Sequence, residues 1–248
     1  MIEPPVERFP ALQALEGVLH GFILRIPGLD VRTDREVALR RLEAFHDTVI
    51  KKFGGRQVRL AGQVHGNSVA MVTVDSEVKS AEVDALITND PDVLLGIHVA
   101  DCCAVFLVDP RKRAIGLVHS GKKGTELNIV GAAVQRMETE FGTDPADLIA
   151  QLSPCIRPPH YEVDFAANIS ENLRRSGVHR AVDSGENTAL DLEKYYSYRM
   201  EKGRTGRMLA LLALHRRTPN ARTLNVKRHP CIRIFSSPRG HSMLPRSK

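Results

Sequence analysis

Residues 93–120 read VLLGIHVADCCAVFLVDPRKRAIGLVHS. Three short apolar runs, 93–100, 103–109 and 114–120, are separated by Asp101-Cys102 and by a polar turn containing Pro110. Runs this short and this apolar predict strands covered on both faces, not surface strands that alternate between apolar and polar residues. DALIT, at 84–88, just upstream, reads the same way.

Outward from this block, GVLHGFILRI (17–26) predicts another strand. Thr33-Asp-Arg-Glu36 has the form of a capping box, and Ala38, Leu42, Phe45 and Val49 follow at helical spacing. With Gly54 as a stop, a helix is expected over 34–53. Residues 57–65, 68–74 and 147–153 predict strands, and 126–141 and 165–177 predict helices. A last helix is expected over 207–214. Strands and helices intermix without a linker or repeat, which predicts one α/β (or α+β) domain with mixed β-sheets and outer helices over residues 1–214.

The chain has 248 residues, 42% hydrophobic and 26% charged, with a mean hydropathy of -0.20. That is enough apolar material to build a core. No run approaches the ~18 apolar residues of a membrane span, and MIEPPVERFPAL lacks the basic and apolar regions of a secretory signal. A soluble cytoplasmic protein with no membrane partner is expected. The four cysteines include the neighbours Cys102 and Cys103, so no disulfide framework is visible. The net charge of +6 is uneven. Residues 202–248 carry 12 Lys or Arg and no acid, while residues 1–201 are net -6. Residues 215–248 read as a basic, poorly ordered C-terminal extension. It has no stacking pattern or nucleic-acid motif, which argues against specific nucleic-acid binding.

His65, Asp101-Cys102 and His119 fall where strands give way to turns, the places from which a rigid scaffold presents side chains to a cleft. Two imidazoles and a thiolate suit Zn²⁺ with a fourth position open. Each residue alone has an ordinary structural reading, and the intervals of 37 and 17 residues are no recognised zinc spacing. The turn His119-Ser-Gly-Lys-Lys-Gly-Thr125 offers glycines, Lys122 and Lys123 to an anion, without the order of a nucleotide-hydrolase loop. Cys102 with His119 or His65 could equally be a nucleophile and its base.

QVHG (63–66), DALIT (84–88), VADC (99–102), HSGKKGT (119–125), SPCIRPPHYEV (153–163) and YSYRMEKGRTGRM (196–208) occur in this order. In this the chain resembles the YfiH-like laccase-domain family, also described as multicopper polyphenol oxidoreductases and as purine nucleoside phosphorylases. The resemblance covers roughly residues 17–214. It implies a YfiH-like fold with His65, Cys102 and His119 as metal ligands. It also implies zinc-dependent phosphorolysis of adenosine, inosine or methylthioadenosine, with adenosine deamination credited to some members. On that reading Arg25, Lys122 and Lys123 bind phosphate, Cys102 is a catalytic ligand, and Asp101 is the nearest proton shuttle for deamination.

The chain departs from the family where substrate would be felt. The family's glycine turn typically reads His-Ala-Gly-Trp-Arg-Gly. Here Lys122 replaces the aromatic residue and Lys123 the arginine, which keeps the charge but loses the guanidinium fork. The proline usual after the ADC cysteine is Ala104, Arg157 stands where glycine is common, and His160 falls near a position often held by cysteine. Three alternatives stay open. One is a copper-dependent polyphenol oxidase, which calls for more ligands than these motifs provide. The others are a metal-free Cys–His hydrolase and a non-catalytic anion-binding protein.

Overall fold

Strand order explains why the central runs have no polar face. The computed structural model describes residues 3–216, so the expected extension lies, from residue 217 on, outside the described residues. One mixed sheet runs β1 (Val6–Glu7), β2 (Val18–Ile23), β12 (Met208–Leu214), β7 (Val93–Val99), β3 (Gln57–Ala61), β5 (Lys79–Ser80). The other runs β11 (Arg180–Asp183), β10 (Ile149–Leu152), β8 (Cys103–Asp109), β9 (Ala114–Ser120), β6 (Ala85–Thr88), β4 (Val69–Met71). The helices are α1 (Pro10–Gln13), α2 (Arg35–Ile50), α3 (Lys122–Glu126), α4 (Ile129–Phe141) and α5 (Phe165–Arg175).

Side chains alternate across β8. Ala104, Phe106 and Val108 enter a core shared with Leu95 and Leu211 of the first sheet. Cys103, Val105 and Leu107 enter a second core with Met137 of α4 and Ile169 of α5. The second sheet is therefore a middle layer, and all seven residues of β8 and of β9 are buried. Each large aliphatic side chain so buried contributes roughly 1.5–3 kcal/mol. This is the mixed α/β architecture expected, with two sheets and few helices.

Three local expectations are corrected. Residues 208–214 form a strand, not a helix. MLALLAL lies between β2 and β7, pairing antiparallel with both, and every residue is buried. Leu and Ala favour helix in isolation, but a position buried on both faces overrides that preference. The cap of α2 is Asp34, not Thr33: its Oδ1 accepts from Glu36 N and Val37 N, both at 3.0 Å. His46, not Phe45, takes the buried place on that helix, and Gly54 ends the segment in the left-handed region at φ 73°.

Candidate metal centre

The β8–β9 hairpin places two of the three candidate ligands. Ala104 pairs with His119, so Cys102, just before β8, lies beside the end of β9. On the other side β6 pairs antiparallel with β9, Ala85 opposite Val118. This brings Asp84 alongside His119, whose N–H donates to the Asp84 carbonyl at 2.7 Å. His65 comes from the loop after β3.

Asp84 organises both histidines. Its fully buried carboxylate accepts from Val64 N at 3.2 Å, His65 N at 2.9 Å and Gly66 N at 2.7 Å, and lies 2.8 Å from His119 Nδ1. Those bonds hold Gln63 and His65 at φ of 64° and 61°, a left-handed conformation that costs a non-glycine residue free energy and persists only where the surroundings impose it. With Nδ1 engaged, His119 presents Nε2 to a ligand, the usual arrangement of a carboxylate-oriented metal histidine.

Ligand atoms of His65, Cys102 and His119 all lie within 4.8 Å of one another, and Cys102 Sγ is 4.0 Å from His65 Nε2. Tetrahedral ligands of a small divalent ion such as zinc stand roughly 3.3–3.8 Å apart, so side-chain shifts of about an ångström or less would bring these three donors onto one metal ion. No other group of three His, Cys, Asp or Glu with this spacing occurs among the described residues. Gly121 makes the approach possible: a Cβ there would stand 2.6 Å from Cys102 Sγ. The turn glycine thus makes room for the thiol.

The electrostatics are those of a charge pair. Burial opposes ionisation of Cys102, but the charge and hydrogen bond of His119, then the bonds from His65, outweigh it and bring the thiol down to about 6. Burial likewise disfavours charge on His119, yet the Cys102 thiolate and the Asp84 carboxylate carry it up to about 9.

The trio opens onto a cavity of about 820 Å³, walled also by Asp101, Lys122, Lys123, Arg199 and Arg207. Asp101 is buried, with Oδ1 accepting from Thr188 Oγ1 and Oδ2 from Arg199 N, each at 2.7 Å. It ties the 197–204 loop to the end of β7. Lys122 and Lys123 stand exposed at the mouth. Arg25 does not reach the cavity. Its Nε donates to Tyr195 O at 3.0 Å, its Nη2 to Glu201 Oε2 at 2.5 Å, and its guanidinium stacks on Tyr196 at 4.4 Å. Sequence reasoning missed Asp84, Arg35 and Arg207. The one available signal for Asp84 was an acid opening the otherwise apolar run DALIT.

Residues 28–168 and 163–215 match the family described as multi-copper polyphenol oxidoreductase laccase. The chain belongs to that family. A relative from Deinococcus radiodurans named purine nucleoside phosphorylase is 36% identical, over 62% of this chain and 69% of its own. Purine nucleoside phosphorylase YlmD of Bacillus subtilis is 28% identical over the same shares. The crystal structure of YlmD from Geobacillus stearothermophilus shares the fold at a TM-score of 0.70 and 23% identity, over 84% of this chain and 94% of that one. Within the laccase-domain family the His-Cys-His group of this chain is thus a site able to bind a metal. No helix among the described residues is long and apolar enough to cross a membrane.

Proposed function

We propose that this laccase-domain protein is a zinc-dependent purine nucleoside phosphorylase. The observation that carries the reading is the meeting of His65, Cys102 and His119 on one wall of a cavity that also holds Arg35, Lys122, Lys123, Arg199 and Arg207. The names of the relatives supply the reaction class. In phosphorolysis a phosphate oxygen forms a bond to the ribose anomeric carbon, the N-glycosidic bond breaks, and its electron pair leaves with the base. Cationic side chains bind and orient the phosphate dianion, and Tyr161, Phe165 and Tyr198 give the base an aromatic wall. Zinc, when bound, supplies Lewis acidity toward the purine and so eases departure of the base. Asp84 holds the His119 tautomer, and Asp101 holds the loop that carries Tyr198 and Arg199.

Deamination would call on Asp101 as a proton carrier. Both its oxygens already accept hydrogen bonds, so phosphorolysis, which asks only position of it, is the leading activity. Chromatography of a nucleoside panel on the zinc-loaded protein tests this. Free base is expected from adenosine, inosine or methylthioadenosine only when phosphate is present. Inosine from adenosine without free base would assign deamination instead, and no product from any nucleoside would remove the reading.

A metal-free Cys–His hydrolase is the second reading. Cys102 at about 6 and His119 at about 9 would form a thiolate–imidazolium pair, the state of an activated cysteine nucleophile. Activity that survives a chelator but not alkylation of Cys102 would select it.

A further inference from the structure

The cations around the cavity differ in how far their charge is already met. Lys122 and Arg199 share the carboxylate of Glu162, at 3.5 and 3.0 Å, and Arg199 also lies over the Tyr161 ring at 4.6 Å. Lys123 is exposed, and a solvated lysine at a rim costs little to leave alone. Arg35 and Arg207 are different. Both are half-buried in the cavity wall, and among the described residues neither has an ion-pair partner, although the guanidinium of Arg207 lies over the Tyr198 ring at 5.7 Å. Their charges are close enough that Arg35, after burial itself, disfavours the charged form of Arg207. Asp34, the neighbouring acid that also lines the cavity, gives Oδ1 to the α2 cap.

The hydrogen bonds of Arg207 show what it lacks. Nη1 donates to the carbonyls of Thr205 at 2.9 Å and Gly206 at 2.8 Å, which uses both its protons. The Nε–Nη2 edge, two parallel N–H groups, has no partner among the described residues. Such an edge matches two oxygens of a phosphate. Arg25, expected from the family resemblance to serve phosphate, has the same edge occupied by Tyr195 and Glu201.

We propose that Arg207, through its free Nε–Nη2 edge, and Arg35 form the phosphate subsite of the cavity, with the two turn lysines and Arg25 outside it. The subsite rests on the phosphorolysis reading only for the source of the anion, inorganic phosphate. A lysine cannot supply that fork.

The test is calorimetric titration of inorganic phosphate into the zinc-loaded full chain, paired with KM values for phosphate and nucleoside. Arg207→Gln and Arg35→Gln are each expected to weaken phosphate binding roughly tenfold or more, the loss of one charge-assisted contact. Zinc stoichiometry and nucleoside KM stay within about twofold. Arg207→Lys recovers part of the loss, while Arg25→Gln, Lys123→Gln and the exposed control Arg40→Gln bind phosphate as the parent does. Arg35 makes no side-chain hydrogen bond among the described residues, so R35Q keeps the test decisive if R207Q fails to fold. Unchanged phosphate affinity in folded R35Q and R207Q, or no phosphate binding by the parent, overturns the subsite. If the parent binds phosphate through these arginines yet never releases base, the subsite stands and the phosphorylase reading falls.

Discussion

Nδ1 of His119 lies 2.8 Å from Oδ1 of Asp84, the carboxylate that also receives the backbone N–H groups of Val64, His65 and Gly66. One buried side chain therefore sets the direction of one metal ligand and the backbone of another. That relationship makes Asp84 the most consequential residue of the centre that is not itself a ligand.

Asp84→Asn keeps the shape but turns one acceptor oxygen into a donor facing N–H groups. Metal affinity should fall roughly 10–100-fold, the usual cost of losing an orienting partner, and thermal stability should fall with it. Competition with a chelator of known affinity measures the first. Unaltered affinity in folded D84N would show that His119 is positioned by β9 alone.

Metal uptake should displace a proton. At pH 7.5 the metal-free centre holds Cys102 as thiolate and His119 as imidazolium, because the first titrates near 6 and the second near 9. A metal requires neutral imidazole. Zinc binding should thus release about one proton, and apparent affinity should rise with pH until His119 has lost its proton near 9. Calorimetry in buffers of different ionisation enthalpy counts the protons. Release of none would mean that His119 is already neutral.

Gly121→Ala places a methyl group 2.6 Å from Cys102 Sγ, so the thiol must rotate away from the histidines. The backbone at φ -100° accepts alanine without strain. Zinc content should drop below half of one equivalent while circular dichroism stays that of the parent. Full zinc occupancy in this variant would mean that the turn can shift without cost.

Acidification should destabilise the protein. Burial, then Arg8, lowers His20 to about 4, and burial lowers His46 to about 4. His20 Nε2 accepts from Phe9 N at 2.8 Å, a role only the neutral ring can fill. Both folded values lie below the unfolded 6.5, so their contribution is complete above pH 6.5 and is lost as pH falls through about 4. Each is worth on the order of 3 kcal/mol over that window. Urea unfolding between pH 7.5 and 4.5 reads the slope, and His46→Leu should flatten part of it. A level profile would contradict the burial of both rings.

Arg25→Gln should cost roughly 1–3 kcal/mol of stability by leaving the half-buried Glu201 carboxylate without its cation. Zinc stoichiometry should stay at the parental value. Loss of metal with retained fold would place Arg25 closer to the chemistry than its contacts indicate.

The residues around the centre were legible to different depths. The runs 93–100, 103–109 and 114–120 were readable because strands covered on both faces are apolar almost throughout, with His98, Asp109, His119 and Ser120 at or near their ends. The same property hid β12: MLALLAL is apolar all round, and periodicity cannot separate a buried strand from a helix segment of that length. His65, Cys102 and His119 stood out as residue types at strand ends, and motif order tied them together. Asp84 did not stand out, since its importance comes from four hydrogen bonds made to residues 18 to 35 positions away.

By itself, then, the amino-acid order determined the apolar strands of the middle layer, the glycine that stops the helical segment beyond α2 and the donor types available to a metal. Those are local properties of composition and spacing. Only the tertiary structure decided that Met208–Leu214 is a central strand, that Arg25 is occupied by Glu201, and that the Nε–Nη2 edge of Arg207, a residue of the cavity wall, has no partner among the described residues. Whether a hydrogen-bonding group is already satisfied depends on what other parts of the chain bring beside it, and no stretch of sequence contains that answer.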